Sequence, residues 1–311
     1  QLTALKRAGM KTICRQNNVG LSHLDDPTII GWMHGDEPDN FTKNSAGKWV
    51  PKRTSNLVIS DYERIKQNDP SRPVLLNLGQ GVSNDQWKGG WAKESDYREL
   101  VKGCDFVSYD IYPACSTRKE VAGKLELGAR GVSRLRQWSR DEKTVWFITE
   151  AAHIHNPDRM ATPHEIRFEV WSAIIHGARG IIYFCHQWEP TRDFAAPLNN
   201  VVTRKALTSI NLQIAELAPV LNSVSIDRNR DAVVSTNDDT QIAMMQKRDG
   251  EALFVFAAAM GATEATASFK LGASNGKSTA RVIGEDRTID VESGVFDDHF
   301  QGYDVRIYRI E

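Results

Sequence analysis

Two glutamates stand where an apolar run gives way to loop residues. Glu37 falls near the end of the stretch Ile29–Pro38 (IIGWMHGDEP), and Glu150 closes Thr144–Glu150 (TVWFITE). A carboxyl in such a place is backed by a rigid strand, and two of them can divide acid–base and covalent work. The division demands different environments, because one group must keep its proton near neutral pH while the other stays ionised. Hydrogen-bonding and aromatic side chains close the other apolar runs. They are Asn17 after KTICRQ, Asn77 and Gln80 in VLLNLGQ, Asp110 and Tyr112 in FVSYDIYP, and His186 and Trp188 in IIYFCHQW. Asp36 directly precedes Glu37, and His153 and His155 follow Glu150. His153-x-His155 looks like part of a metal site, but no His/Asp cluster converges with it, so the expected chemistry uses no metal and no cofactor. Trp87 and Trp91, in the Gly-rich QWKGGW, are either walls of a binding site or packing residues of a loop.

The elements that must position these residues alternate. Apolar strands at Lys11–Asn17, Ile29–Pro38, Val74–Gln80, Phe106–Pro113, Thr144–Glu150 and Ile181–Trp188 are separated by helical stretches. The helix after Glu150 has the plainest start signal, with Thr162 as N-cap, Pro163 at the first position and Glu165 completing a capping box. Strand–helix alternation implies parallel strands with right-handed crossovers. Near-continuous apolar strands suit a sheet buried on both faces. Polar residues at the carboxyl end of every strand favour a (β/α)8 TIM-type barrel over a doubly wound sheet, whose ligands gather at one switch point. After about residue 222 the pattern shifts to short alternating runs (DAVVST, QIAMMQK, ALFVFAAA, ATASFKL, YDVRIYRI) between Asp-Gly and Gly-rich turns. Two domains are therefore expected: an α/β barrel over 1–222 and an antiparallel β-sandwich over 223–311.

Composition narrows the partners. With 39 basic and 40 acidic residues in 311, the net charge of -1 gives no electrostatic reason to expect nucleic acid or an anionic membrane. No apolar run approaches the roughly 20 residues of a membrane span, and no signal peptide is visible. Cys104 and Cys115 flank an extended strand that separates them by about 20 Å, too far for a disulfide. The four cysteines read as free, mostly buried thiols.

Gly31-Trp32-Met33-His34-Gly35-Asp36-Glu37-Pro38 resembles the strand-four motif of the large glycosidase clan (clan A type) built on a (β/α)8 barrel with two catalytic glutamates. Trp146-Phe147-Ile148-Thr149-Glu150 is similar to its strand-seven motif, and Asp110-Ile111-Tyr112-Pro113 resembles its strand-six signature. Trp188 resembles the strand-eight tryptophan that floors a sugar subsite. The resemblance implies a retaining glycoside hydrolase acting on β-linked oligo- or polysaccharides, with Glu37 as acid/base and Glu150 as nucleophile. It implies that Tyr112 hydrogen-bonds the nucleophile; Tyr109 is the alternative, since odd and even strand positions face opposite ways. Asn17, Asn77, Gln80, Asp110, His153 and His186 become candidates for sugar hydroxyls. The clan usually has Asn where this chain has Asp36, which can still accept from a 2-hydroxyl but adds a charge beside the acid. If Glu37 belongs to strand four, only one strand precedes it, so the first two strands of the barrel are missing. An upstream segment, a second copy covering the gap or an unusual arrangement of the chain is then expected, with a weakly active or binding-only relative as the alternative reading of function. Enzymes of this sort are often secreted or periplasmic, which sets that expectation here.

Overall fold

The computed structural model describes residues 1–87, 93–226, 232–237, 239–272 and 277–311. By its internal contacts the chain forms two compact units that interleave in sequence. The first holds Gln1–Ile111, Arg130–Ile148 and Gly177–Ile182; the second holds Tyr112–Ala129, Thr149–His176 and Tyr183–Glu311.

The first unit is built on a parallel sheet. In chain order the strands are β1 (Thr12–Arg15), β2 (Ile29–Met33), β3 (Phe41–Lys43), β4 (Trp49–Pro51), β5 (Val74–Leu78), β6 (Phe106–Asp110), β7 (Thr144–Glu150) and β8 (Gly180–Phe184). Six of them form one sheet in the order β1-β2-β5-β6-β7-β8. Pairing is parallel, in registers such as Ile13 with Gly31, Trp32 with Val74 and Tyr109 with Phe147. The sheet stops at β1 and β8, two strands short of a closed (β/α)8 barrel. The architecture is thus an incomplete TIM-type barrel, as the strand–helix alternation implies. β5 and β6 are buried along their whole length, which explains why their sequences carry no polar alternation. The helix Ser55–Asn68 buries Val58 and Ile65. Residue Gly131 of the helix Glu126–Trp138 lies so near the Tyr109 ring that a Cβ there would sit 2.2 Å from it.

Several strands are shorter than their apolar runs suggest. β2 ends at Met33 because Gly35 and Pro38 interrupt it, so Glu37 lies in the following loop and not at the strand end. β8 ends at Phe184, leaving His186 and Trp188 beyond it. The small antiparallel pair β3–β4 has no counterpart in the expected alternation.

The second unit carries an antiparallel sheet of β9 (Ala232–Ser235), β10 (Ile242–Asp249), β11 (Ala252–Ala259), β12 (Ala265–Lys270), β13 (Lys277–Val282), β14 (Thr288–Glu292), β15 (Val295–Phe300) and β16 (Val305–Ile310). Their order is β10-β11-β16-β13-β14-β15-β12-β9. β12 and β16 are four places apart, a separation of roughly 19 Å in a flat sheet. Yet the rings of Phe269 and Tyr308 lie 5.4 Å apart, so the sheet rolls over its own inner face. Val255, Ala257, Phe269, Phe296, Phe300 and Tyr308 fill the core so made. The helix Pro163–Ile175 begins at the Thr162 cap with its capping box and packs Trp171 on Phe256 at 5.8 Å. Among the described residues no helix is long and apolar enough to cross a membrane, and Cys14, Cys104, Cys115 and Cys185 are free.

Candidate active site

The loop after β2 gathers four carboxyls in the first unit. Glu37 has φ +45°, an uncommon conformation for a side chain of its size. Two backbone bonds hold it there: its N–H donates to the Asn77 carbonyl at 3.2 Å, and its carbonyl accepts from the Asn40 N–H at 3.2 Å. Backbone strain of this sort persists where surroundings over-determine it, and it clusters at functional sites. The Glu37 Oε2 atom accepts from Asn40 Nδ2 at 2.6 Å and faces Lys52 Nζ at 3.8 Å. Asn77 ties the cluster together. Its Nδ2 donates to Asp36 at 2.9 Å and to Asp110 at 3.2 Å, while its Oδ1 accepts from Ser108 at 2.8 Å. Burial holds the Asp110 carboxyl well above the usual carboxylate range, and the charge of Glu37, with a hydrogen bond to it, adds to the effect. Asp110 therefore retains a proton where an exposed carboxyl would lose it. Behind them Asp39 is buried and pushed up to about 6, chiefly by desolvation. It accepts from the Gly79 N–H at 2.9 Å and the Tyr97 hydroxyl at 3.2 Å.

Glu150, in the second unit, is held differently. Its carboxyl is fully buried, and each oxygen takes a backbone amide: Oε1 from Ala114 at 2.5 Å and Oε2 from Cys115 at 2.6 Å. The turn that supplies those amides is itself pinned. Arg159 donates to the Ala114 carbonyl, Asn156 Nδ2 donates to the Cys115 carbonyl at 3.0 Å, and Cys115 Sγ donates to the Ala152 carbonyl at 3.0 Å. Burial raises the Glu150 carboxyl above its ordinary range, and the bonds from Cys115, Ala114 and Glu169 pull it back. Glu169 was not among the residues the sequence singles out. Its signal is a lone acid inside the apolar helical run IRFEVWSAII.

The remaining candidates fall into two groups. Asp36, Glu37, Asn77 and Asp110 come together around the β2 loop. In the second unit Tyr112 packs on Phe184 at 5.1 Å, and Trp188 stacks on His155 at 4.8 Å and on Phe184 at 5.5 Å. His186 meets the Trp188 ring edge-on at 5.8 Å. These rings form a continuous, partly exposed aromatic cluster. Tyr109, the alternative to Tyr112, is fully buried against Phe147 at 5.4 Å. Three candidates spend their polar groups locally. Asn17 caps the short helix Asn18–Leu21 by accepting from Gly20 at 2.8 Å. Gln80 accepts from Asn84 at 3.1 Å, and the His153 ring bonds the Asn156 carbonyl at 2.9 Å. Trp87 donates to Asn40 at 3.2 Å, which ties it to the Glu37 loop; Trp91 lies outside the described residues. Among the described residues no group of three His, Cys, Asp or Glu could hold a metal ion.

A family model described as Glyco_hydro_42, beta-galactosidase, matches residues 48–224, more than half of the chain. No curated protein sequence matches. Among solved structures, AmyP in complex with maltose shares the fold with TM-score 0.52 at 9% identity, over 94% of this chain and 66% of that one. The apo exo-carrageenase GH42 from Bacteroides ovatus is 10% identical, with TM-score 0.48, over 83% of this chain and 56% of that one. The chain thus spans less than two thirds of the length of either protein.

Proposed function

We propose, for a chain that belongs to the glycoside hydrolase family described as Glyco_hydro_42, beta-galactosidase, that it cleaves β-glycosidic bonds by double displacement, with β-galactosides the first substrates to test. Glu150 attacks the anomeric carbon and forms a glycosyl ester while the leaving oxygen takes a proton from Glu37. Glu37 then removes a proton from water, which displaces Glu150 and restores the carboxylate. The observation that carries this reading is the pair of backbone amides on Glu150 at 2.5 and 2.6 Å. Donors aimed at both oxygens orient a buried carboxyl and favour its ionised form against the cost of burial. Glu37 suits the other role because it is partly open to solvent and lies beside Asp110, whose carboxyl keeps its proton. The Trp188–His155–Phe184 wall provides faces for sugar stacking.

A second reading, a relative that binds carbohydrate with little turnover, is favoured by one fact: Glu150 is 0% exposed, so attack requires the Ala114–Cys115 turn to yield. A panel of aryl β-glycosides and polysaccharides, assayed with the parent, Glu150→Gln and Glu37→Gln, separates the two. Hydrolysis by the parent with loss in both variants supports the enzyme. A folded parent that binds sugar and hydrolyses none of them supports the binding protein. Turnover that survives Glu150→Gln sinks the mechanism.

A further inference from the structure

The helix Pro163–Ile175 buries residues on every side, Ile166, Phe168, Val170 and Trp171 among them, and Glu169 is the acid in its middle. Glu169 is 0% exposed. One of its oxygens, Oε2, accepts from the Thr149 hydroxyl at 2.5 Å. The other, Oε1, is sealed from solvent and meets no N–H or O–H of a neighbour. The carboxyl that acts on it instead is that of Glu150, through its charge and its hydrogen-bonding capacity. Two carboxylates cannot bond to one another, so one of the pair carries a proton. The fixed donors decide which. Both backbone amides point at Glu150, while Glu169 has only the hydroxyl, so the negative charge rests on Glu150 and the proton on Glu169.

We propose that Glu169 is a positioning residue for Glu150: its neutral carboxyl donates the Oε1 proton to the Glu150 carboxylate and completes a three-donor cradle with the Ala114 and Cys115 amides. The other ionisable groups nearby agree. Burial and then the Glu150 charge hold the Glu169 carboxyl well above its usual range, with Glu165 acting in the same sense. The Cys115 thiol beside both acids is also kept neutral, burial being the main cause. The catalytic consequence rests on Glu150 as nucleophile; the location of the proton does not. A donor lost from Glu150 raises the pH at which that carboxyl ionises, and therefore moves the acidic limb of kcat/KM upward.

The test compares the parent with Glu169→Gln, which keeps an N–H donor but cannot titrate, and Glu169→Leu, which has no donor. Thermal unfolding from pH 4 to 8 reads the proton without any substrate. An acid whose folded pKa is raised binds more protons folded than unfolded, so stability falls as pH climbs above about 4.3. The fall should be smaller in Glu169→Gln than in the parent; equal slopes overturn the proposal. With an aryl β-glycoside, the acidic limb should stay in place in Glu169→Gln and move up by about one pH unit or more in Glu169→Leu. An unmoved limb in folded Glu169→Leu overturns it as well. A parent that turns over no glycoside defeats the functional reading alone, and the unfolding comparison still decides where the proton sits.

Discussion

Around Glu37 the polar side-chain partners lie on several segments: Asn40, Lys52 and Asp110. Around Glu150 the partners are backbone amides of one pinned turn, with a single buried acid behind. The first arrangement leaves the carboxyl partly open to solvent. The second fixes both oxygens and excludes water. In the proposed mechanism proton transfer uses the former and the nucleophile the latter, two roles that call for different surroundings. Both share one device, however. Each glutamate has a second, buried acid beside it, Asp110 or Glu169, whose carboxyl is held well above the usual range chiefly by burial.

The strongest way to break this contrast is to neutralise each glutamate. Glu150→Gln should lower kcat on any β-glycoside by more than about 10³-fold, the scale of loss when a covalent nucleophile is removed. It also sets an NH₂ group against a backbone N–H, so unfolding must be followed beside turnover. Glu37→Gln should cost about 10²–10⁴-fold on substrates with alkyl leaving groups. Release of a nitrophenol, which needs no protonation, should be spared in the first step. If leaving-group acidity instead rescues Glu150→Gln and not Glu37→Gln, the two roles are exchanged.

That contrast was only half legible in the sequence. The strands were readable because runs such as TVWFITE and VLLNL are apolar without alternation, which buried parallel strands require. Both glutamates were readable because they follow such runs. Nothing local announces the Ala114 and Cys115 amides, since every residue but proline offers one and only the fold aims them. Glu169 gave a faint sign, an acid in an apolar helix, but its partner lies 19 positions earlier on a strand, and a single sequence does not pair them. Asn17 shows the opposite failure. Its position after an apolar run suits a ligand-binding amide and a helix cap equally, and in the structure it caps. The left-handed turn at Glu37 is invisible because glutamate, unlike glycine, does not advertise positive φ.

A smaller effect probes the ground under Glu37. Asp39 is pushed up to about 6 by burial, so the folded chain binds more protons than the unfolded one between about pH 4 and 6, and stability falls across that window as pH rises. Asp39→Asn should flatten the fall, by up to about 3 kcal/mol for a shift of this size. Chemical denaturation of the two proteins at several pH values checks it. An unchanged slope would mean that the Tyr97 and Gly79 bonds already hold Asp39 ionised.

The gentlest change sharpens the other side. Thr149→Val preserves shape and removes the hydroxyl that donates to Glu169 at 2.5 Å. A buried carbonyl oxygen left without its donor costs about 1–3 kcal/mol, and Thr149→Ser should recover most of that. The proton on Glu169 should become easier to keep, because the Thr149 bond is the one that favours its ionised form. The acidic limb of kcat/KM should therefore hold its place in Thr149→Val while stability drops. A limb that moves with the stability would show that the Glu169 carboxyl is aimed by Thr149, and that the cradle of Glu150 reaches one residue further than its three donors.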